Sequence, residues 1–136
     1  MRRLHSIARD ERGSPAIEFA IAVPVLVSII YGIAQLGLIY EANAGIQHAL
    51  GEAARYATLY DADKTTRVHT EDEILARLNA KLFGKGSGTF TPKYTDNGNN
   101  SVELEVKYSK KLDFLFMPGP TVTLTRTKTV YMVIPS

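Results

Sequence analysis

The sequence predicts an α+β protein built on one long N-terminal helix. A small antiparallel sheet of about three strands and one short helix are expected to pack on the second half of that helix. Three observations predict this fold: residues 19–40 carry no charge, residues 41–60 continue with an Ala-rich helical pattern, and the chain after residue 88 alternates as strands do. The 136 residues leave room for one domain of ordinary size.

The apolar run is long enough to cross a membrane. As a helix, its 22 residues would cover about 33 Å, against about 30 Å of hydrocarbon. A cleaved secretory signal has an apolar core of only about 7–15 residues, and a buried core helix would need more surrounding protein than this chain supplies. We predict a transmembrane helix over residues 14–40, in which Pro24 introduces a kink or a local loss of hydrogen bonding.

Positive charge flanks the apolar run on one side. Four arginines lie within residues 1–13, whereas Arg55 is the only basic residue in the twenty positions after the run. The positive-inside rule therefore predicts a single-pass protein with a cytoplasmic N-terminus and a C-terminal region outside the membrane. Residues 1–13 are then a basic cytoplasmic leader.

The helix is expected to continue beyond the membrane over residues 41–60. This stretch contains no proline, and a narrow apolar stripe recurs at steps of three and four residues. The stripe consists of Ile46, Leu50, Ala53, Ala57 and Tyr60. We expect a helix from about Pro15 to Tyr60, with its outer half offering this stripe to the rest of the chain.

Residues 61–136 read as a soluble α+β region. A polar loop over 61–69 leads into the segment TEDEILARLNAKLFG, where Thr70 and Glu73 have the spacing of a capping box and Gly84 marks the end of a short helix.

Three strands are predicted after this helix. TFTPKYT is short, and Pro92 confines it to an edge of the sheet. The turn cluster DNGNN connects it to SVELEVKYS, which alternates apolar and polar residues, and MPGP separates that strand from the Thr-rich TVTLTRTKTVYMVI. A sheet with one polar face is what covering a single long helix requires.

The residue inventory argues against an enzyme or a cofactor protein. There are no cysteines, which excludes disulfides, thiolate metal sites and thiol catalysis. No catalytic Ser–His–acid motif and no phosphate-binding glycine loop is present. The segment that starts with DNGNN differs from a calcium-binding loop. Counted from Asp96, its sixth position is not glycine and its twelfth position is Lys107. We expect no metal, no cofactor and no small-molecule substrate.

Charge does not indicate a nucleic-acid partner either. From Glu41 onward, 12 Lys and Arg residues face 11 Asp and Glu residues. The basic excess of the chain therefore comes mostly from the leader, and we expect no binding of nucleic acid.

The N-terminus combines features that occur together in one kind of signal. A short basic leader precedes Gly13, and after four further residues come Glu18, Phe19 and the apolar run. This arrangement resembles the processing signal of type IV prepilins, and its G-x-x-x-x-E-F form is similar to that of the Flp/Tad branch. The segments GIAQLG and IQHALGEAARYA resemble those of TadE-like minor pseudopilins of the Flp/Tad (type IVb-like) pilus family. The resemblance is specific over residues 9–60.

The resemblance implies a processing event. In that family a prepilin peptidase cuts after the glycine, which here gives cleavage between Gly13 and Ser14. Glycine at the cut lets the backbone enter a tight site without a side chain. Pro15 departs from the pattern: it either slows the peptidase or pre-sets the first helical turn of the mature chain.

The resemblance also implies an assembly role for Glu18. After cleavage its carboxylate has a partner in the free α-amine of a neighbouring subunit, and the pair would set the register of the subunit in a filament. The alternative is an interfacial acid in the first helical turn, where the helix dipole favours negative charge. A second candidate contact is the small-xxx-small pair Ser28 and Gly32, which would let another helix approach closely; the sequence shows no partner for it.

Two functional classes follow. The first is a minor pseudopilin in the bacterial inner membrane, with its C-terminal region periplasmic or extracellular, that acts in pilus assembly, adhesion or biofilm formation. Its expected partners are the prepilin peptidase, other pilins or pseudopilins, and the assembly machinery. The second is an uncleaved, signal-anchored protein whose outer region is a binding module. The Gly13–Glu18 spacing favours the first.

Overall fold

The computed structural model describes residues 14–59, 69–98, 100–114 and 117–131. Two helices and one antiparallel sheet of strand order β1-β2-β3 make up the described chain, which confirms the predicted α+β class. The elements are α1 Ser14–Ala57, α2 Glu71–Lys81, β1 Thr89–Asp96, β2 Ser101–Phe114 and β3 Met117–Tyr131.

Helix α1 runs unbroken through Pro24 for 44 residues, a length of about 66 Å. It ends at Ala57, before the predicted end at Tyr60, which lies outside the described residues. The last turn tightens because the N–H groups of Thr58 and Leu59 bond to carbonyls three residues back, each at 3.3 Å. The Thr58 hydroxyl also donates to the Arg55 carbonyl at 2.8 Å, a local bond that competes with continued helix.

The buried face of α1 is wider than the predicted stripe. Four predicted positions, Ile46, Leu50, Ala53 and Ala57, are buried, and further alanines join them. The additional buried residues are Ala42, Ala49 and Ala54. The face is wide because α2 and the sheet both pack on this half of α1, and alanine allows both to approach closely.

Helix α2 starts with the predicted capping box. The Thr70 N–H donates to the Glu73 carboxylate at 2.9 Å, and the Glu73 N–H donates to the Thr70 hydroxyl at 3.4 Å. The first of these bonds is the main cause that lowers the pKa of Glu73. The helix ends at Lys81 rather than at Gly84, because Leu82 is extended (φ −68°, ψ 133°) and directs the chain against α1.

The sheet covers α1 with one apolar face, as predicted. Val102, Leu104, Val106 and Tyr108 of β2 are fully buried and alternate with more exposed charged residues. Strand β1 lies at an edge, as Pro92 predicted. The other edge strand, β3, is held to α1 by a bond of 2.9 Å from the Arg126 Nε to the Asn43 Oδ1.

The β2–β3 hairpin is longer than predicted. MPGP does not separate the strands but forms the first part of β3, where Pro118 pairs with Asp113 and Met117 with Phe114. An edge strand accepts proline because half of its N–H groups have no strand partner. The register shifts between Lys111 and Asp113, so that one residue of β2 lies opposite two of β3, as in a β-bulge.

Candidate processing and assembly site

The proposed processing site lies at the beginning of α1. Gly13 is outside the described residues, and Ser14 and Pro15 are the first described residues of α1. If the mature chain begins at Ser14, Pro15 lies in the first helical turn, where its fixed φ is favourable and its missing N–H has no intrahelical partner to lose. This role of Pro15 stays a prediction.

Glu18 and Phe19 follow on an unpacked part of the helix. Both side chains are exposed, Phe19 at 71%. The residues before Ser14 lie outside the described part of the chain, so both roles of Glu18, in assembly and as an interfacial acid, stay predictions.

The small pair Ser28 and Gly32 lies on the side of α1 that meets the hairpin. The Ser28 hydroxyl donates to the Pro24 carbonyl at 2.8 Å. A Cβ at Gly32 would lie 3.3 Å from the ring of Phe114, so within this chain the glycine admits an aromatic side chain from β2. A contact of this pair with another helix stays a prediction.

Sequence reasoning missed Gln35, which fixes the hairpin to the helix. Its side chain is only 6% exposed although it lies within the apolar run. The Asp113 N–H donates to Gln35 Oε1 at 2.9 Å, and Gln35 Nε2 donates back to the Asp113 carbonyl. One side-chain amide thus satisfies both backbone groups of a residue beside the register shift. The available signal was a lone amide in an otherwise apolar stretch.

We expect Gln35→Leu to loosen the end of the β2–β3 hairpin. The change leaves the Asp113 N–H and carbonyl without their partner, at a cost of about 1–3 kcal/mol. In hydrogen exchange of the full chain in detergent, amides around Asp113 should exchange about tenfold faster or more. Gln47→Leu, at an exposed position of the same helix, is the matched control. Unchanged exchange around Asp113 in Gln35→Leu would contradict this role.

An apolar groove of about 480 Å³ lies between α1 and the end of the hairpin. Pro24, Ile29 and Leu36 line its helix side, and Leu112 and Phe114 line its hairpin side. The groove has almost no polar lining, so it suits an apolar occupant and offers nothing that would hold a charged ligand.

A second cluster of polar and aromatic side chains lies at the far end of α1. The Tyr56 and His69 rings stack at 3.5 Å between centroids, and the Arg77 guanidinium lies 5.6 Å from the Tyr56 ring. His69 Nδ1 is 3.5 Å from a Glu73 carboxylate oxygen. Within the described ranges no group of three or more His, Cys, Asp or Glu side chains could hold a metal ion. The contacts of this cluster tie the start of α2 to the end of α1.

The apolar helix and the comparison with known protein families are consistent with each other. The described part of the chain has one helix long and apolar enough to cross a membrane, and none of its most apolar stretch is buried. No curated protein and no solved structure was found to match the chain. The family model described as TadE-like protein matches residues 13–55, which confirms the predicted resemblance there. Residues 13–55 therefore form a TadE-like segment, consistent with a membrane-anchored protein associated with the Flp/Tad pilus machinery.

Proposed function

We propose that the protein is a minor pseudopilin of a Tad/Flp pilus assembly or secretion system. In this proposal a prepilin peptidase removes residues 1–13, and α1 anchors the chain in the bacterial inner membrane with the sheet on the periplasmic side. The role is structural, not catalytic: the subunit joins other pilins or pseudopilins and the assembly machinery, and serves pilus assembly, adhesion or biofilm formation.

The observation that carries the proposal is the start of the TadE-like segment. The family match begins at Gly13, and Glu18 and Phe19 follow it at the spacing of the prepilin signal. Cleavage between Gly13 and Ser14 would place the new α-amine four positions before Glu18, whose side chain is exposed on the described part of the helix. The free amine and the carboxylate would then lie where a neighbouring subunit can reach both.

The charges of this helix end explain why assembly would depend on Glu18. A carboxylate near the lipid boundary is costly, up to about 3 kcal/mol at the bilayer centre. Pairing with the α-amine of an adjacent subunit offsets this cost, because the two groups form a charge-assisted hydrogen bond in a medium of low dielectric. Leaving the membrane for a filament is favoured only if that pair forms.

The mass of the native protein tests the processing step. Removal of 13 residues from the 136 leaves 123, and intact-mass spectrometry of the protein from its native membrane should show a chain that begins at Ser14. A chain that keeps its leader would overturn the proposal and favour the signal-anchored binding module. Cleavage at another bond would contradict the proposed roles of Gly13 and Glu18.

We expect Glu18→Gln to be processed but to fail in assembly. Glutamine keeps the size of the side chain and leaves the scissile bond untouched, but it strands the partner amine without its counter-charge. The cost is about 3 kcal/mol, or roughly a hundredfold less protein co-isolated with filaments and assembly machinery. Quantitative blotting of that fraction measures the effect, with intact mass as the check on cleavage.

Two further variants sharpen this test. Glu41→Gln alters an exposed glutamate of the same helix and should assemble normally. Glu18→Asp keeps the charge on a shorter side chain and should recover part of the assembly. Normal assembly of Glu18→Gln would show that the ionic pair is not required, and Glu18 would then be only a helix-start residue.

A further inference from the structure

The end of the β2–β3 hairpin lies beside the part of α1 that is proposed to cross the membrane. The Phe114 ring lies 3.3 Å from where a Cβ of Gly32 would stand, and the Asp113 backbone is hydrogen-bonded to Gln35. Both helix positions belong to the uncharged run. The sheet therefore does not end where the apolar run ends but extends alongside its last turns.

Helix length places these contacts relative to a bilayer. Gln35 is 16 positions beyond Phe19, the first residue of the uncharged run, or about 24 Å along the axis, whereas the hydrocarbon layer is about 30 Å thick. With Phe19 at one face of the hydrocarbon, Gln35 lies about 6 Å inside the opposite face. Gly32 is three positions back along the helix, which puts it and the Phe114 ring about 10 Å inside the hydrocarbon.

The side chains at the hairpin end and on the neighbouring part of α1 differ in polarity along the chain. Phe114 and Leu112 line the apolar groove, while Lys111 and Asp113 on the alternate positions of the strand are exposed. On the helix, Ile29 and Ile33 are more than half exposed, and Tyr40 is 74% exposed farther along. The groove side of the strand end is therefore apolar, and lysine and tyrosine are side chains that reach from apolar surface to the headgroups.

We propose that the end of the β2–β3 hairpin is a second membrane contact and that acyl chains of the outer leaflet fill the groove between it and α1. The inference rests on the membrane span of the proposed function. The groove is continuous with the exposed apolar surface of the helix, so any lipid that surrounds α1 also reaches the groove. Lys111 then lies at the phosphate level, and the hairpin fixes how deeply the helix sits.

Gln35 has a specific task in this arrangement. A strand end that enters lipid exposes backbone groups that water no longer satisfies, and each costs several kcal/mol when it is left without a partner. The Gln35 amide satisfies the N–H and the carbonyl of Asp113 beside the register shift, where regular strand pairing is interrupted.

Lipid-quenched fluorescence of the full-length chain tests this contact. The chain has no cysteine, so Phe114→Cys and Pro118→Cys each carry a single environment-sensitive label at the hairpin end. Pro118 is exposed, which keeps that variant independent of the packing on Gly32. The chains are reconstituted into vesicles of phosphatidylethanolamine and phosphatidylglycerol in which a fraction of the acyl chains carries a nitroxide quencher.

Two control positions calibrate the result. Ile30→Cys labels the exposed apolar face of α1, and Thr127→Cys labels the outer face of the sheet. Thr127 pairs with Glu105, nine positions from Phe114, or about 30 Å along the strand. We expect labels at Phe114 and Pro118 to be quenched several-fold more strongly than at Thr127 and nearly as strongly as at Ile30.

The possible failures are distinguishable. Quenching at Ile30 without quenching at either hairpin position would overturn the second contact and leave the span intact. Absence of quenching at Ile30 would overturn the span and, with it, this inference. Disulfide cross-linking of Phe114→Cys between two chains, without lipid quenching, would assign the groove to a second subunit and overturn the lipid assignment.

Discussion

We expect Gly13→Leu to accumulate entirely as the uncleaved precursor. A peptidase that cuts after Gly13 must hold the backbone closely, and glycine is the residue that permits such an approach. Leucine places a branched side chain at that point, so the amount of mature product should fall below detection. Intact mass or a gel shift of 13 residues in the native host measures this directly.

The effect must be specific to the cleavage position. Gly37→Leu makes the same change on the same helix at a position where an added Cβ meets nothing within 4 Å, and it should be processed normally. Mature chain in normal amount from Gly13→Leu would remove the prepilin interpretation. Insertion should be unaffected in both variants, because the arginines of the leader and the apolar run are unchanged.

We expect Gly45→Ala to disrupt the packing of α2 and its following loop on α1. A Cβ at Gly45 would overlap the carbonyl oxygen of Phe83 and lie 2.9 Å from its carbonyl carbon. Both neighbours are backbone atoms, so no side chain can rotate away and the two elements must separate. We expect a loss of about 3–5 kcal/mol, above the usual range for overpacked cores.

The contact at Gly45 is reinforced from the other side. Gly84 has φ +74°, and a Cβ there would lie 2.7 Å from the carbonyl carbon of Glu41 and 2.8 Å from the Ala42 nitrogen. Two glycines thus allow two backbones to meet. A loss of this size is a large part of the roughly 5–15 kcal/mol that stabilises a typical domain.

Resistance of the full chain to proteolysis in detergent measures the loss, with Gly51→Ala as the matched control. Gly51 lies in the same helix with open space around its missing Cβ, so alanine there should stabilise by about 0.5–1 kcal/mol through helix propensity. Equal resistance of Gly45→Ala and Gly51→Ala would show that the close backbone contact is not required.

Local patterns predicted most of the secondary structure. The capping box at Thr70 and Glu73 acts within one helical turn, and the alternation from Val102 to Tyr108 acts within one strand. Such signals need no knowledge of distant residues, so they can be read directly. The boundaries were less accurate: α2 ends at Lys81, Leu82 is extended, and Gly84 then lies close to the backbone of α1.

The candidate processing site was also set out by the sequence. We expect Gly13, Ser14, Glu18 and Phe19 to act through their order along the chain, and the family match begins at the first of them. The structure adds that the Glu18 side chain is exposed. The proposed partner of Glu18 is the α-amine of another subunit, so no feature of a single chain identifies it.

Sequence patterns alone predict the apolar helix, the short capped helix and the alternating strands, because each depends on residues that are close together along the chain. The place where the hairpin meets the helix depends on contacts between distant parts of the chain. The Gln35–Asp113 contact joins residues 78 positions apart. The groove beside it exists because β2 and β3 extend along α1 beyond the helix face that the rest of the sheet buries. In the sequence, the polar amide in the apolar run does not indicate the long hairpin, and the hairpin does not indicate the amide. They come into contact because of the direction in which the sheet packs on α1.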